Sequence, residues 1–336
     1  MNKKDEQLNL ALKQYQSSKM NDFDEVNIIH HSLAAIDVAK VSLKTSLDKI
    51  SLETPFFINA MTGGSAYTQE INEKLAVVAK QCHLAMATGS LSTLLKDDSS
   101  FESFNIIRRV NPKGVLFANF NPNHGSKAIL KVAKKLKADA IQIHLNSPQE
   151  IVMREGDRTF EHWSKTINEV ARKVNNLIVK EVGFGMSKET ISLLKSLGVK
   201  IIDVSGRGGT NFVLIESSRN HDKMAYLKDW GQSTVISLLE AKTVPGVDII
   251  ASGGIRQPLD MIKSFILGAK AVGISGLILN SLVSDGVEPT IDLIENFKEE
   301  LRLLMALVGA HNINELQNVD VVFGDKITGY LHQRNI

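Results

Sequence analysis

Eight short apolar runs recur along the chain, and a longer segment of mixed polarity separates each run from the next. In runs such as IIDVS and DIIAS the apolar residues are nearly continuous, which is typical of parallel strands buried on both faces. The segment 68–82 places its apolar residues on one stripe, as expected of a helix that covers a sheet. The predicted strands are 56–60, 84–88, 114–118, 140–144, 177–182, 200–205, 248–252 and 271–275. Eight such units predict an α/β fold, a (β/α)8 barrel of the TIM type.

The rival architecture is a doubly wound sheet, which also alternates strands and helices. No GxGxxG motif follows the first strand, and eight regular units favour closure into a barrel. We therefore predict one barrel domain over residues 1–336, a size that such barrels routinely reach. Two additions are expected, an N-terminal extension over 1–50 that contributes to the substrate site and a long connection over 206–229 after the sixth strand. Connections of that length in compact domains are commonly functional.

Charge and cysteine content narrow the classes of partner. The formal net charge is only +2, with lysines and arginines spread along the chain, which argues against nucleic acid or an anionic membrane as a partner. Cys82 is the single cysteine, so an intrachain disulfide and a cysteine-based metal cluster are excluded, and its place on the helical stripe makes it a core residue. The first residues lack an apolar signal core and no run is long enough to cross a bilayer, so we expect a cytoplasmic protein.

Polar residues and glycines follow nearly every predicted strand. In a barrel the carboxyl ends of the strands carry the active site, because the βα loops meet at that face. Any single glycine after a strand is better explained as a turn, but the set as a whole predicts a site. Its members are MTGG (61–64), TGS (88–90), Asn119, HLN (144–146), Gln149, Glu150, Lys180, Glu181, Ser205, Gly206, SGGIR (252–256), Ser275 and Gly276.

The loops after strands seven and eight predict a phosphate site. Gly253 and Gly254 allow the main chain to approach a phosphate closely, and Arg256 can add positive charge. Lys180 ends the fifth strand, where a cation can stabilise an anionic cofactor ring, although a lone lysine there is as often an ion-pair partner. Together with MTGG, these features predict flavin mononucleotide (FMN) across the top of the barrel.

The segment HLNSPQE at 144–150 predicts the place of the substrate. His144, Asn146 and Gln149 offer neutral polar groups, and Glu150 offers a carboxylate that suits Mg²⁺. A magnesium site of this kind uses few carboxylates together with substrate phosphates. The alternative is a capped loop that leads into a helix, with His144 satisfied in the core.

These motifs resemble the type 2 isopentenyl-diphosphate delta-isomerases. The resemblance covers most of the chain in the correct order, and HLNxxQE, KEVGFG (180–185) and DVSGRGGT (203–210) are its specific parts, joined by EGDR (155–158) and DWG (229–231). It implies FMN contacts at Met61, Thr62, Ser90, Asn119, Lys180, Ser205, Thr210, Gly254, Arg256, Ser275 and Gly276. It implies catalytic roles for Gln149, Lys180 and His144, a substrate site formed by Lys3, Lys4, Gln7, His144, Asn146 and Gln149, and Glu150 as the Mg²⁺ ligand.

The resemblance also implies the chemistry. Isopentenyl diphosphate would be isomerised to dimethylallyl diphosphate by a 1,3-proton shift without net oxidation, as a step of isoprenoid biosynthesis. An ordinary carboxylic acid is poorly matched to so weakly basic an alkene, and the family uses reduced FMN instead, with NADPH as the reductant. The family further implies a homo-oligomer, a tetramer or larger.

Two segments depart from the family pattern. The family's N-terminal Arg-Lys-Asp-Glu-His corresponds here to Lys3-Lys4-Asp5-Glu6-Gln7, and the Gln-Arg pair that follows Gly-Ser corresponds to Leu91-Ser92. Lys3 keeps the charge without the bidentate fork, and Gln7 cannot become cationic. An FMN-dependent oxidoreductase of the same barrel superfamily and a noncatalytic flavin- or diphosphate-binding protein are the alternative functions. The intact Gln149, Glu150 and Lys180 favour the isomerase.

Overall fold

The protein is described by a computed structural model that covers residues 3–15, 20–95 and 98–336. The N-terminal extension contains the helix α1 (Lys3–Gln14) and three short strands, β1 (Val26–Ile28), β2 (Thr45–Leu47) and β3 (Ile50–Leu52). Strands β2 and β3 form an antiparallel hairpin. Buried residues of this hairpin pack against the apolar interior of the barrel at one end. The hairpin therefore fills one end of the barrel.

Eight parallel strands form a closed barrel, as predicted. They are β4 (Phe56–Ile58), β5 (Met86–Ala87), β6 (Leu116–Phe120), β7 (Ala140–His144), β8 (Leu177–Lys180), β9 (Ile201–Asp203), β10 (Asp248–Ser252) and β11 (Ala269–Ile274). Each strand pairs with the next along the chain, and β11 pairs in parallel with β4 to close the ring. Closure rules out the doubly wound sheet, whose two edge strands stay unpaired.

Helices surround the barrel and alternate with its strands. They are α2 (Ala66–Gln81), α3 (Phe101–Val110), α4 (Ser126–Lys135), α5 (Ser147–Val152), α6 (Trp163–Ala171), α7 (Lys188–Ser196), α8 (Phe212–Arg219), α9 (Thr234–Lys242), α10 (Pro258–Ile266), α11 (Gly276–Ser284), α12 (Val287–Leu307) and α13 (Asp325–Arg334). Short 3-10 helices occupy Asp22–Glu25, Val38–Lys40, Leu91–Thr93, Asp98–Ser100, Ala225–Asp229 and Glu315–Asn318. In the part of the chain that the structure describes, none of the helices combines the length and apolarity that a membrane span requires.

Helix α2 illustrates why the sequence forms these elements. Ser65 caps it, accepting from the Thr68 backbone N–H at 3.1 Å, while the Thr68 hydroxyl oxygen accepts from the Ser65 N–H at 2.9 Å. This reciprocal pair satisfies donors that the first turn leaves free. The predicted apolar stripe is buried and ends at Cys82, whose pKa burial raises to about 12. Cys82 is therefore a core residue, as expected.

The C-terminal helix α13 is tied to the barrel through one buried carboxylate on α9. Glu240 is fully buried and accepts hydrogen bonds from Tyr330 Oη at 2.7 Å and Arg334 Nε at 2.8 Å. The backbone N–H of Lys188 donates to its other oxygen at 2.9 Å. Burial alone would raise the pKa of Glu240, but the bonds from Arg334 and Tyr330 outweigh it and hold the pKa below its usual value. Strand β12 (Val321–Phe323) precedes α13 and pairs with β1.

Strand ends differ from the sequence prediction by a few residues. The strands at 140–144 and 248–252 coincide with the prediction. The third strand begins two residues later than predicted and runs over Leu116–Phe120. Gly114 lies in a turn before it, and the Gly114 carbonyl accepts from Arg108 at 2.7 Å. Five strands, the first, second, fifth, sixth and eighth, were predicted one or two residues too long at their carboxyl ends. The chain leaves them early because it turns into the loops, with a positive φ at Gly183 and at Ser205.

Candidate active site

One cavity of about 960 Å³ opens at the carboxyl ends of the barrel strands. The βα loops, helix α1 and the insertion after β9 form its wall. Every residue for which the family resemblance implies a role lines it: Lys3, Lys4, Gln7, Met61, Thr62, Ser90, Asn119, His144, Asn146, Gln149, Glu150, Lys180, Ser205, Thr210, Gly254, Arg256, Ser275 and Gly276. Of the other strand-end residues that the sequence predicted, the cavity lining does not include Gly63, Gly64, Thr88, Leu145, Glu181 or Gly206. Folding therefore brings the N-terminal residues to the same space as the strand ends.

Glycines form one end of the cavity. A Cβ on Gly209 would lie 2.8 Å from the Gly254 nitrogen, and one on Gly254 would lie 3.1 Å from the backbone of Gly208. Side chains are thus excluded where the two loops meet, and Gly208, Gly253 and Gly254 also have positive φ values. The adjacent helix α11 begins with the small residue Gly276. We call the main chain of Gly208, Gly209, Gly253, Gly254, Ser275 and Gly276 the glycine cradle.

Arg256 borders the glycine cradle, but carboxylates surround its guanidinium. Its Nη2 donates to Asp24 at 2.7 Å, and its Nε donates to the fully buried Asp260 at 2.9 Å. The bonds that Arg256 donates to Asp260 and Asp24 raise its pKa. The charge that the sequence assigned to a phosphate is therefore largely compensated, and Arg256 braces the loop by joining it to the N-terminal extension.

A buried polar network crosses the barrel axis beneath the cavity. Asp203 is fully buried and accepts from Asn59 Nδ2 at 2.8 Å, from Ser252 Oγ at 2.6 Å and from the Ser205 backbone N–H at 3.1 Å. Asn59 is fixed in turn, because its own Oδ1 accepts from Gln142 Nε2 at 3.2 Å. Burial raises the pKa of Asp203. This network forms the floor of the cavity, near a central buried cation.

Lys180 is that central cation. Its side chain is buried, and Nζ donates to the Glu181 carbonyl at 2.6 Å. Burial lowers its pKa, while the carboxylates of Asp203 and Glu181 act in the opposite direction. An anion in the cavity would likewise favour the charged ammonium. The residue can therefore act both as a partner of the buried acids and as a cation for a bound anion.

His144 ends β7 as an uncharged imidazole. Its Nδ1 lies 2.9 Å from Asn119 Oδ1, so Nδ1–H donates and Nε2 carries the lone pair. Burial, with the charges of Lys180 and Lys4, lowers the pKa of His144 to about 3. At neutral pH His144 is therefore a neutral hydrogen-bonding group, and it does not serve as a cationic acid.

The segment after His144 presents an amide and a carboxylate held in fixed orientations. Asn146 Nδ2 donates to Gln149 Oε1 at 3.1 Å and to Glu150 Oε1 at 2.9 Å. The second oxygen of Glu150 accepts from the Asp157 backbone N–H at 2.8 Å. Each carboxylate oxygen keeps a free lone pair. No group of three or more potential ligands among His, Cys, Asp and Glu occurs in residues 3–15, 20–95 and 98–336, so a metal at Glu150 would need oxygens from a ligand.

Glu216 on α8 joins this segment to the N-terminal helix. The carboxylate is fully buried and accepts from Gln7 Nε2 at 2.6 Å and from Gln149 Nε2 at 3.0 Å. Arg219, one turn further on, donates to Glu216 at 2.5 Å and to Glu6 at 2.9 Å. The amide of Gln149 is therefore fixed from both sides.

The lysines at the start of α1 face the same end of the cavity. Lys3 Nζ lies 2.8 Å from Glu155. Loss of solvent and the neighbouring Lys3 lower the pKa of Lys4, and the carboxylates of Glu216 and Glu150 oppose this effect. Lys4 therefore lies within the electrostatic reach of Glu150, and Lys3 is paired with Glu155.

Sequence reasoning missed several residues of the site. Asp203 was read only as part of DVSG, and Asn59 as part of a strand, although both hold the floor of the cavity. Glu216 lies in the long insertion, where no pattern distinguishes it from a surface acid. Of the two departures from the family pattern, Leu91 is buried in the core and Ser92 lines the cavity next to Ser90, with 2.9 Å between their hydroxyls.

Comparison with known proteins agrees with this geometry. Residues 96–322 match the family model of the FMN-dependent dehydrogenases. An isopentenyl-diphosphate delta-isomerase of Staphylococcus epidermidis is 44% identical over 99% of this chain and 96% of its own, and that of Staphylococcus saprophyticus is 43% identical over 99% and 97%.

Solved structures show the same barrel at low identity. A mandelate oxidase variant with an FMN adduct superposes with a TM-score of 0.66 at 16% identity, over 95% of this chain and 92% of its own. A flavocytochrome b2 variant with benzoylformate gives 0.67 at 18% identity, over 94% and 79%. These structures bear on the fold alone. The near-complete sequence matches carry the assignment, and the chain belongs to the FMN-dependent, type 2 isopentenyl-diphosphate delta-isomerase family.

Proposed function

We propose that this protein isomerises isopentenyl diphosphate to dimethylallyl diphosphate, with reduced FMN and Mg²⁺ bound in the cavity. The observation that carries the proposal is the continuous cavity from the glycine cradle, past Lys180, to Gln149 and Glu150. Curated relatives that match nearly the whole chain are named for this activity. The reaction serves isoprenoid biosynthesis.

The residues present fit FMN. The glycine cradle leaves main-chain N–H groups without covering side chains, which suits a phosphate, and a helix N-terminus stands beside it. A volume of about 960 Å³ lies at the upper end of ordinary ligand sites and accommodates a mononucleotide together with a small substrate. The residues that would hold the cofactor are Met61, Thr62, Ser90, Asn119, Lys180, Ser205, Thr210, Gly254, Arg256, Ser275 and Gly276. When bound in its reduced form, FMN supplies the proton-transferring group and the electron-rich ring that a weakly basic alkene requires.

Lys180 is proposed to stabilise negative charge at the centre of the cavity. A cation in a buried site acts on nearby charge more strongly than in water, because little solvent screens it. Its Nζ is held by the Glu181 carbonyl at 2.6 Å, and the charge of Asp203 favours its cationic form. Replacement of Lys180 by alanine should remove most of the activity while the fold is kept.

Gln149 and His144 are proposed to orient the substrate. The amide of Gln149 is held by Asn146 on one side and Glu216 on the other, so the direction of its polar atoms is defined before substrate arrives. His144 offers an uncharged ring at neutral pH and acts by position. Such fixed groups lower the entropic cost of bringing the reacting carbons into place.

Glu150 is proposed to hold Mg²⁺ together with the diphosphate of the substrate. Mg²⁺ sites commonly use one or two carboxylates, waters and substrate phosphates, and Glu150 has a free lone pair on each oxygen. Lys3 and Lys4 add positive charge at this end of the cavity. Asn146 keeps the carboxylate in place at 2.9 Å.

The N-terminal segment is proposed to act as a clamp on the diphosphate, within a single domain of which residues 1–50 are an extension. Three of its residues line the substrate end of the cavity, Lys3, Lys4 and Gln7. Deletion of residues 1–8 should reduce kcat/KM for isopentenyl diphosphate strongly, while the protein still binds FMN. A truncated enzyme with the wild-type kcat/KM would assign diphosphate recognition to the barrel loops.

Three further parts of the proposal rest on the family resemblance. They are NADPH as the reductant, a cytoplasmic location and a homo-oligomer of four or more chains.

Anaerobic incubation with isopentenyl diphosphate, Mg²⁺ and prereduced FMN tests the function directly. An isomerase yields dimethylallyl diphosphate without consuming the reduced flavin. Stoichiometric oxidation or reduction of an organic substrate would instead indicate an oxidoreductase, the function for which the mandelate oxidase and flavocytochrome b2 structures are named. FMN binding without turnover would indicate a binding protein.

A further inference from the structure

Helix α1 spans the mouth of the cavity from the substrate end to the glycine cradle. At its start Lys3, Glu6 and Gln7 bond to Glu155 and to α8. The helix also packs against α2 and α11. Its 12 residues extend over about 18 Å at 1.5 Å per residue. One rigid element therefore contacts both ends of the cavity.

Tyr15 follows the last residue of α1 and stands over the glycine cradle. A Cβ on Gly276 would lie 3.4 Å from Tyr15 Cδ2 and 3.5 Å from the Thr210 hydroxyl. Tyr15 itself lines the cavity, and its ring is half-buried there. Burial raises its pKa, so the hydroxyl is a neutral donor at neutral pH. A phenol beside bare main chain at a phosphate-type site is placed to donate to a phosphate oxygen.

A second residue of the extension contacts the same cradle. Asn21 Nδ2 donates to the Gly254 carbonyl at 2.9 Å. This carbonyl belongs to the loop that the glycines form, so the extension touches the cradle both at Tyr15 and at Asn21. The cradle is thus covered partly by the extension as well as by barrel loops.

From this arrangement we infer that Tyr15 is a latch for the phosphate group of the flavin, and that α1 couples occupancy of the diphosphate end to retention of the cofactor. The inference rests on the proposed function, because it takes FMN as the ligand of the cradle. An anion that binds Lys4 and Gln7 strengthens the docking of α1, and docked α1 holds Tyr15 over the cradle. Such coupling is reciprocal, so bound FMN raises the affinity for a diphosphate by the same factor.

The release rate of FMN tests the latch without reference to turnover. The FMN-loaded protein is diluted, and the return of free-flavin fluorescence is followed with and without inorganic pyrophosphate and Mg²⁺. In the wild-type protein pyrophosphate should slow release. Tyr15→Ala should release FMN about tenfold faster, the factor that one hydrogen bond to a charged group provides, and should lose the response to pyrophosphate. Tyr15→Phe separates the hydroxyl from the ring and should show the larger part of this effect.

Two further variants test whether a change in FMN release is specific to Tyr15 and α1 or reflects a general loss of packing. Tyr226 is 77% exposed and lies outside the cavity, so Tyr226→Ala should release FMN at the wild-type rate. Glu6 does not line the cavity but anchors α1 to Arg219 at 2.9 Å, so Glu6→Gln should accelerate FMN release from the far end of the helix.

The outcomes are distinct. Release from Tyr15→Ala at the wild-type rate overturns the latch. A pyrophosphate response that is unchanged in Tyr15→Ala and Glu6→Gln overturns the coupling. If the wild-type protein binds no FMN in a direct titration, the proposed function itself fails, and the latch with it.

Discussion

Replacement of Asp203 by asparagine is expected to destabilise the protein strongly although the two side chains have the same shape. Asp203 accepts from Asn59 at 2.8 Å, from Ser252 at 2.6 Å and from the Ser205 N–H at 3.1 Å. An asparagine amide nitrogen must take the place of one oxygen. If that nitrogen pointed towards Asn59, it would meet the Nδ2 donor of Asn59. The Asn59 amide cannot rotate to present its oxygen instead, because its Oδ1 accepts from Gln142. Towards Ser205 it would oppose a backbone N–H.

The loss of charge adds to the loss of hydrogen bonds. Lys180 is buried, and Asp203 is one of the two carboxylates that favour its charged form. Removing one partner of a buried charge pair typically costs about 3–5 kcal/mol, because the remaining charge is left uncompensated. Lys180→Met should cost less, since Asp203 keeps its three hydrogen-bond donors and burial already raises its pKa towards the protonated form.

The double variant tests whether these two costs share a cause. Asp203→Asn combined with Lys180→Met removes both charges, so it should be more stable than the sum of the single costs implies, by about 1–3 kcal/mol. Urea unfolding of the four proteins, followed by far-UV circular dichroism at one temperature, gives the three differences. Additivity within about 0.5 kcal/mol would refute the reasoning, because it would mean that the charges do not stabilise each other.

Three further predictions concern the cradle, the metal and the C-terminal helix. Gly209→Ala places a Cβ 2.8 Å from the Gly254 nitrogen and should weaken FMN binding about tenfold or more. In the control Gly329→Ala the new Cβ meets nothing within 4 Å, so FMN affinity should be unchanged. Flavin fluorescence titration measures both affinities, and equal values would show that the glycine cradle is not part of the FMN site. Glu150→Gln should raise the Mg²⁺ midpoint of activity and leave FMN affinity unaltered, and an unmoved midpoint would reduce Glu150 to a loop cap. Glu240→Gln should lower the thermal midpoint at neutral pH. The pKa of Glu240 is depressed in the folded protein, so its contribution to stability is present above the ordinary value of 4.5 and is lost as the pH falls through the folded pKa. The difference in thermal midpoint between the two proteins should therefore shrink in acid. A difference that does not depend on pH would contradict the ionic origin.

The barrel could be predicted from the sequence because its signal is local. Each buried parallel strand is a short apolar run, and the loops that follow are marked by glycine and polar residues. The residues of the site at strand ends could be predicted for the same reason, since closure of the barrel brings all carboxyl ends to one face. His144 and Lys180, for example, lie side by side in register on the adjacent strands β7 and β8.

The remaining parts of the site depend on contacts between distant segments. Glu216 acquires its role only because α8 folds back onto Gln149 and Gln7, which lie 67 and 209 residues away in the sequence. The role of Arg256 was predicted incompletely for a related reason. Its charge was visible in SGGIR, but of the two carboxylates that compensate it, Asp260 lies four residues on and Asp24 arrives from the N-terminal extension, 232 residues away.

The substrate end of the cavity depends on helices outside the barrel strands. The barrel superposes on mandelate oxidase and flavocytochrome b2 at only 16–18% identity, so a barrel of this shape does not by itself select a reaction. The cluster of Gln7, Gln149 and Glu216 is built by α1, α5 and α8, none of which belongs to the barrel strands. The fully buried carboxylate of Glu216 accepts from both amides and from Arg219, which also donates to Glu6 of the extension. The insertion and the extension are therefore energetically dependent on each other. Helices α1 and α8 therefore have to be considered as one unit when either is altered.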